Sequence, residues 1–475
     1  MACLIAAPAS GSGKTLLSLS LIAWGRSRGH TVQPFKVGPD YLDPQLLGAA
    51  AGRPCRNLDL PLCGETWVHD SFHGQGSRSQ LCLVEGVMGL FDGVGPTSEG
   101  SSAAVAKQLN LPVVLVVDAG GQAQSLAALV RGFQLHDPEL HIAGVVLNRI
   151  STPRHRHLMQ EVLDGIDMPL LGCLPRSNDL DLPSRHLGLA PAHEIAAFQS
   201  RLDAWAALAE EHLNLKELLP LLQAPAPGEN PILQQLNRQH LEIPLTPKPV
   251  AVARDQAFHF RYPEMQDWLD ALAMPVLPWQ PLANEPIPEE ACGLILPGGF
   301  PELHAQELSQ CEKSMASLRD CFGRQPIYAE CGGMLLLGQS LTDQDGVSHP
   351  MAGVLPFHAR QGRLQVGYRK LEANGDGLVL KRGERLMGHE FHRWELSEDS
   401  PTNAVGNLRS LWQVEGWQVA PRSEGWSHPS LHASWVHLHW GGCSTISCRW
   451  RAAVDGAATQ TAVGSSAARN SSLKP

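Results

Sequence analysis

Residues 2–24 read ACLIAAPASGSGKTLLSLSLIAW, and their order decides the architecture. A short apolar run, 2–7, leads into a Gly/Ser loop ending in Gly13-Lys14-Thr15, and the apolar segment 16–24 follows. Strand, loop and helix in that order let backbone N–H groups at a helix N-terminus cradle a phosphate. Ser10, Gly11, Ser12 and Gly13 supply the N–H groups, Lys14 neutralises terminal phosphate charge, and the Thr15 hydroxyl is placed to ligate Mg²⁺. Pro8 stands where such loops usually begin with Gly. A chance Gly-Lys-Thr in an ordinary turn is the competing interpretation, and the flanking strand and helix argue against it.

Outward from this loop, apolar runs at 31–37, 80–85, 111–118, 141–147 and 168–174 alternate with helical stretches, the last at 194–222. Runs of this kind predict an α/β fold, a doubly wound parallel sheet covered on both faces. Ligands in such sheets collect at the C-terminal strand ends. Acidic residues fall there: Asp40 and Asp43 in Lys36-Val-Gly-Pro-Asp-Tyr-Leu-Asp43, Glu85 at the end of 80–85, and Asp92 seven residues later. Glu85 is a candidate second Mg²⁺ contact. Helix capping competes for Asp43, which precedes Pro44. Asn148, after 141–147, is placed either to contact a nucleotide base or to form a turn.

A Pro-rich segment, Gln223–Pro231, and a polar stretch to 247 predict a linker (223–247) between a unit over 1–222 and a second α/β unit over 248–440. In the second unit, Tyr328-Ala-Glu-Cys-Gly-Gly-Met334 places Cys331 between an apolar strand and an apolar helix predicted at 334–341. Small residues after a cysteine permit a sharp turn that exposes the sulfur, and a helix N-terminus favours the thiolate. Backbone N–H groups of Gly299, in Leu296-Pro-Gly-Gly-Phe-Pro-Glu302, and of Gly332 are candidates for an oxyanion hole. His437 and His439, two apart on a predicted strand, would face one side and offer a base. Inert packing is the usual fate of a buried cysteine and is assigned to the other ten. No pair of the 11 cysteines has CxxC spacing, and His389-Glu-Phe-His392 is not a zinc-protease motif, so no zinc site is expected.

The chain has 475 residues, 43% of them hydrophobic, with a net charge of −10 and no long basic stretch. Two or three domains are expected, and nucleic-acid partners are not. No basic leader and no run of roughly 20 apolar residues is found, so neither a signal peptide nor a membrane span is expected, and free cysteines fit a cytoplasmic setting. Residues 441–475, rich in Gly, Ala, Ser and Thr, are expected to be a disordered tail whose deletion from 448 leaves activity intact.

These motifs together resemble the cobyrinic acid a,c-diamide synthase family. The resemblance runs over about residues 2–440 and rests on the phosphate loop, KVGPDYLDP (36–44), EGVMGLFDG (85–93), LPSRHLGL (182–189), LPGGFPELHA (296–305), AECGGM (329–334), GHEFHR (388–393) and SWVHLHW (434–440). It implies a dethiobiotin-synthetase-like ligase domain and a class I glutamine-amidotransferase-like domain. It also implies that ATP phosphorylates the c- and then the a-acetate carboxylate of cobyrinate, and that ammonia released from L-glutamine displaces the phosphate. By motif, Lys14, Thr15 and Glu85 serve ATP and Mg²⁺; Asp40, Tyr41, Leu42, Asp43 and Asp92 line the acceptor region; Cys331 is the nucleophile and His437 its base. Related acceptors, hydrogenobyrinate or nickel-sirohydrochlorin, stay open, as does a switch ATPase carrying an inactive glutaminase fold. A homodimer is likewise left open. Class I relatives carry His-x-Glu; here the third position is His439, so either Cys and His suffice or a carboxylate such as Glu302 or Glu390 substitutes.

Overall fold

The computed structural model describes residues 2–150, 152–176, 184–185, 188–189, 198–238, 246–401 and 407–470, with side chains at 184–185, 188–189 and 458–470 excepted. The LPSRHLGL motif at 182–189 thus lies largely outside the described residues. The chain divides into two compact units, Met1–Gln234 and Gln235–Pro475.

The first unit holds a seven-stranded sheet: β1 (Cys3–Ala6), β2 (Val32–Val37), β3 (Arg56–Leu58), β4 (Leu81–Glu85), β5 (Val113–Asp118), β6 (Ile142–Asn148) and β7 (Leu170–Cys173). Their spatial order is β3-β2-β4-β1-β5-β6-β7, and every pairing is parallel. Alternate residues of β1 enter opposite cores: Leu4 and Ala6 pack on one face, Cys3 and Ile5 on the other. Burial on both faces is why these strands read as unbroken apolar runs rather than alternating ones. Helix α1 (Lys14–Ser27) starts directly after the phosphate loop, from a left-handed Gly13 (φ 111°). The chain then turns into β2, and α2 (Leu42–Ala51) follows it. The switch in strand order beside β1 opens the crevice over the loop.

Part of the segment expected to be a linker is helical, Pro231–Arg238. Asn230 Oδ1 accepts from the N–H groups of Ile232 (2.9 Å) and Leu233 (3.2 Å), so Asn-Pro here is an N-cap followed by a first-turn proline rather than a turn.

The second unit is a mixed sheet. Strands 276–279, 250–253, 294–296, 327–330 and 431–434 lie side by side in parallel. Antiparallel strands 419–428, 409–416 and 358–373 extend it, and 385–396 pairs with 358–373. The strand expected to carry His437 stops short of it, at Ser434, and His437 forms an isolated bridge with His389 instead. The tail is also corrected. A helix begins at Ser444, and Ile446, Trp450 and Val454 are buried in the unit's core. The Arg451 guanidinium donates to the carbonyls of Leu272, Ala273 and Thr246. An amphipathic stripe at i, i+4 and i+8 outweighs the small, polar composition around it.

Candidate functional sites

In the first unit the loop residues converge on the ends of β2 and β4. Lys14 Nζ donates to the Met88 carbonyl (2.6 Å), and the Thr15 hydroxyl donates to Glu85 Oε1 (3.1 Å). Glu85 is fully buried, burial pushes its carboxyl pKa up, and its Oε2 has no hydrogen-bond partner among the described residues. An orphaned carboxylate oxygen beside a phosphate-loop hydroxyl suits a Mg²⁺ ion, which takes one or two protein oxygens and completes its shell with phosphate and water. Ser12 Oγ donates to the Ala9 carbonyl (2.9 Å), which fixes the loop, while Ser10 and Gly11 are exposed. Asn148 spends its amide on the loop: Nδ2 donates to the Ser12 carbonyl (3.0 Å), and Oδ1 accepts from Arg149 N–H (2.9 Å).

The centre of this site is a residue the sequence did not single out. Lys36, buried within β2, lies 3.3 Å from Asp43, 3.5 Å from Glu85 and 3.8 Å from Asp40, and donates to the Gly86 carbonyl (2.8 Å). Burial alone would pull its pKa down, but the three carboxylates more than offset this and raise it. Asp40 is pushed up to about 7 by burial and by Asp43 beside it. Its Oδ1 also accepts from Leu42 and Asp43 N–H groups, starting α2. Asp92 Oδ2 accepts from Gly89 N–H (2.8 Å) and braces the loop that carries Met88. Tyr41 and Leu42 are both buried. A lysine inside a strand of a sheet covered on both faces was the available signal, because lysine is almost never buried unless paired.

In the second unit, strand 327–330 ends at Cys331, whose backbone sits at φ 47°, ψ −113°. That region strains any side-chain-bearing residue and aims the sulfur out of the strand direction. The helix after it is a single turn, Gly332–Leu335, rather than the longer one expected at 334–341, so its dipole adds little. A Cβ on Gly332 would lie 2.8 Å from Pro301 Cδ and 3.0 Å from the Gly299 backbone nitrogen. Glycine is therefore required where the two candidate oxyanion segments meet. Gly298 likewise leaves room for the His437 ring, 2.6 Å from where its Cβ would be.

His437 pairs through its backbone with His389, N–H to carbonyl in both directions (3.0 and 2.8 Å). Its ring hydrogen-bonds Cys331, and Nδ1 lies 3.2 Å from Glu330 Oε2. Burial pulls the His437 pKa down, but Cys331 and Glu330 outweigh it and push it up to about 10. His439 does not share this face. It contacts Glu264 (3.5 Å) and the Tyr262 ring (4.5 Å), because the chain has already left the sheet.

Neither carboxylate expected as a substitute is the one on Nδ1. Glu390 is engaged by Arg369, His392 and Arg422. Glu302 is pushed up to about 7 by burial, away from the charged form an imidazolium needs. Glu330, adjacent to the cysteine in sequence, was overlooked because neighbours in a strand face opposite ways.

The described residues include no group of three or more His, Cys, Asp or Glu side chains fit to hold a metal, and no helix long and apolar enough to cross a membrane.

The CobQ/CobB/MinD/ParA nucleotide-binding domain family matches residues 3–189, and the CobB/CobQ-like glutamine amidotransferase domain family matches residues 249–444. The cobyrinate a,c-diamide synthase of Gloeobacter violaceus is 42% identical, over 93% of this chain and 94% of its own. That of a Synechococcus species is 39% identical, over 93% and 96%. The hydrogenobyrinate a,c-diamide synthase of Mycobacterium bovis is 39% identical, over 92% and 94%. With both domain families present in order and such relatives along nearly its whole length, the chain belongs to the cobyrinate a,c-diamide synthase family.

Proposed function

We propose that this chain uses ATP and glutamine to amidate the c- and a-acetate carboxylates of cobyrinate, giving the a,c-diamide in cobalamin biosynthesis. The observation that carries this is one chain holding both halves of the chemistry: a phosphate loop beside an acidic cluster, and a cysteine–histidine pair on a strained turn. The named relatives match across both halves.

In the first unit, the acceptor carboxylate attacks the γ-phosphorus of ATP; ADP leaves and an acyl phosphate forms. Lys14 and the loop N–H groups hold the phosphates, and the Lys36–Asp40–Asp43 cluster sets the charge where the acceptor carboxylate arrives. Thr15 and Glu85 would hold Mg²⁺, which when bound neutralises charge on the β- and γ-phosphates. In the second unit, Cys331 attacks the glutamine carboxamide, with Gly299 and Gly332 N–H groups facing the developing oxyanion. Ammonia leaves with a proton from His437, and water then cleaves the thioester to glutamate. Ammonia adds to the acyl phosphate and expels inorganic phosphate. Hydrogenobyrinate is the second acceptor to test, because a relative bears that name at almost the same identity.

Mass spectrometry of cobyrinate incubated with the protein, ATP, Mg²⁺ and amide-¹⁵N glutamine tests this directly. Two successive acid-to-amide conversions carrying the label are expected. ATP hydrolysis without a mass change would reject cobyrinate, and the same failure with both hydrogenobyrinate and nickel-sirohydrochlorin would reject the ligase assignment.

A further inference from the structure

We infer that Glu330 is the positioning carboxylate of the Cys331–His437 pair, holding the imidazole through Nδ1 and stabilising its charged form. This rests on the glutaminase reading above. Strand 327–330 brings Tyr328 and Glu330 to one face. Tyr328 Oη donates to Glu330 Oε1 (2.6 Å), and Leu438 N–H donates to the same oxygen (3.2 Å). Oε2 is left to His437 Nδ1 at 3.2 Å. Tyr328, Glu330 and His437 are all at least 97% buried, so this carboxylate is held by hydrogen bonds rather than by water. The Tyr328 ring is itself fixed by stacking on His432, with centroids 4.7 Å apart and planes 5° from parallel.

The strained turn explains how consecutive residues serve one ring. In a regular strand Glu330 and Cys331 would point to opposite faces. The reversal at Cys331 (φ 47°) folds the sulfur back, and both side chains converge on His437. With Nδ1 bound to Glu330, the hydrogen bond with Cys331 falls to Nε2. Cys331 then attacks as the thiolate, its proton already on Nε2 of the charged His437, as the sulfur–carbon bond to glutamine forms. The same proton leaves with ammonia as the carbon–nitrogen bond breaks. Glu330 keeps its charge throughout and takes no proton. It thus fills the place left open by His439, from the other side of the nucleophile.

The test compares glutamine-dependent with ammonia-dependent amidation in the full-length protein. Glu330→Gln is expected to lower the glutamine-dependent kcat on the order of 10²-fold or more. The KM for glutamine and the ammonia-dependent rate should stay near wild type. Because the Glu330 charge raises the His437 pKa, its loss should move the alkaline limb of the glutamine kcat/KM profile to lower pH. An unchanged glutamine-dependent kcat with an unmoved limb overturns the inference. Should Glu330→Gln fail to fold, Glu330→Asp decides, since it draws the carboxylate back by one methylene: a fall in glutamine-dependent kcat alone supports the inference, and no fall overturns it. Cys331→Ala is the separate control. If it retains glutamine-dependent activity, the glutaminase reading itself is wrong.

Discussion

At the scale of single residues, the proposed ligase site centres on Lys36 and its three carboxylates. A buried cation with three anionic neighbours leaves a net negative site unless another cation or a proton enters, and Asp40, pushed up to about 7, is placed to take one. Asp43→Asn removes one anion from this set while keeping its size. We expect amidation to fall on the order of 10²-fold with either nitrogen source, and glutamine hydrolysis to hold. Equal loss of both activities in steady-state assays would make Asp43 merely structural. The phosphate loop, Glu85 and the cysteine turn were legible in sequence because each is a local motif at a strand end. Lys36 and Glu330 were not: the carboxylates local to Lys36, Asp40 and Asp43, are joined by Glu85 only where β2 pairs with β4, and His437 reaches Glu330 from more than 100 residues away.

At the scale of elements, the helix from Ser444 reverses the expectation of a dispensable tail. Trp450 is fully buried, and a Cβ on Gly293 would lie 3.1 Å from its ring. Trp450→Ala should destabilise the glutaminase unit by about 3–5 kcal/mol, read as a lowered unfolding transition by calorimetry. Deleting 448–475 should abolish its folding, and a truncated protein with normal glutamine-dependent activity would contradict this. The stripe Ile446, Trp450, Val454 was present in the sequence but diluted by Ala, Gly and Ser, which carry no burial signal. Strand β3, three residues long, offers no period to detect. The sheet strands at 113–118 and 142–148 were legible for the opposite reason, since burial on both faces makes them continuous apolar runs.

At the scale of the whole molecule, each unit has its own core and its own chemistry, so the two activities should separate genetically. Cys331→Ala is expected to abolish glutamine-dependent amidation and leave amidation from free ammonia intact, measured as product formed with each nitrogen source. Loss of both would mean that the acceptor and glutamine chemistries are not separate sites.

The turn at Cys331 has a consequence for how such a chain changes over generations. Glycine adopts a positive φ without strain, so folding alone would favour glycine at 331 over any residue with a side chain. On the role proposed for it, a cysteine persists there only while its sulfur attacks glutamine. A lineage that came to rely on free ammonia would lose the pressure that holds it, and position 331 would be among the first to drift.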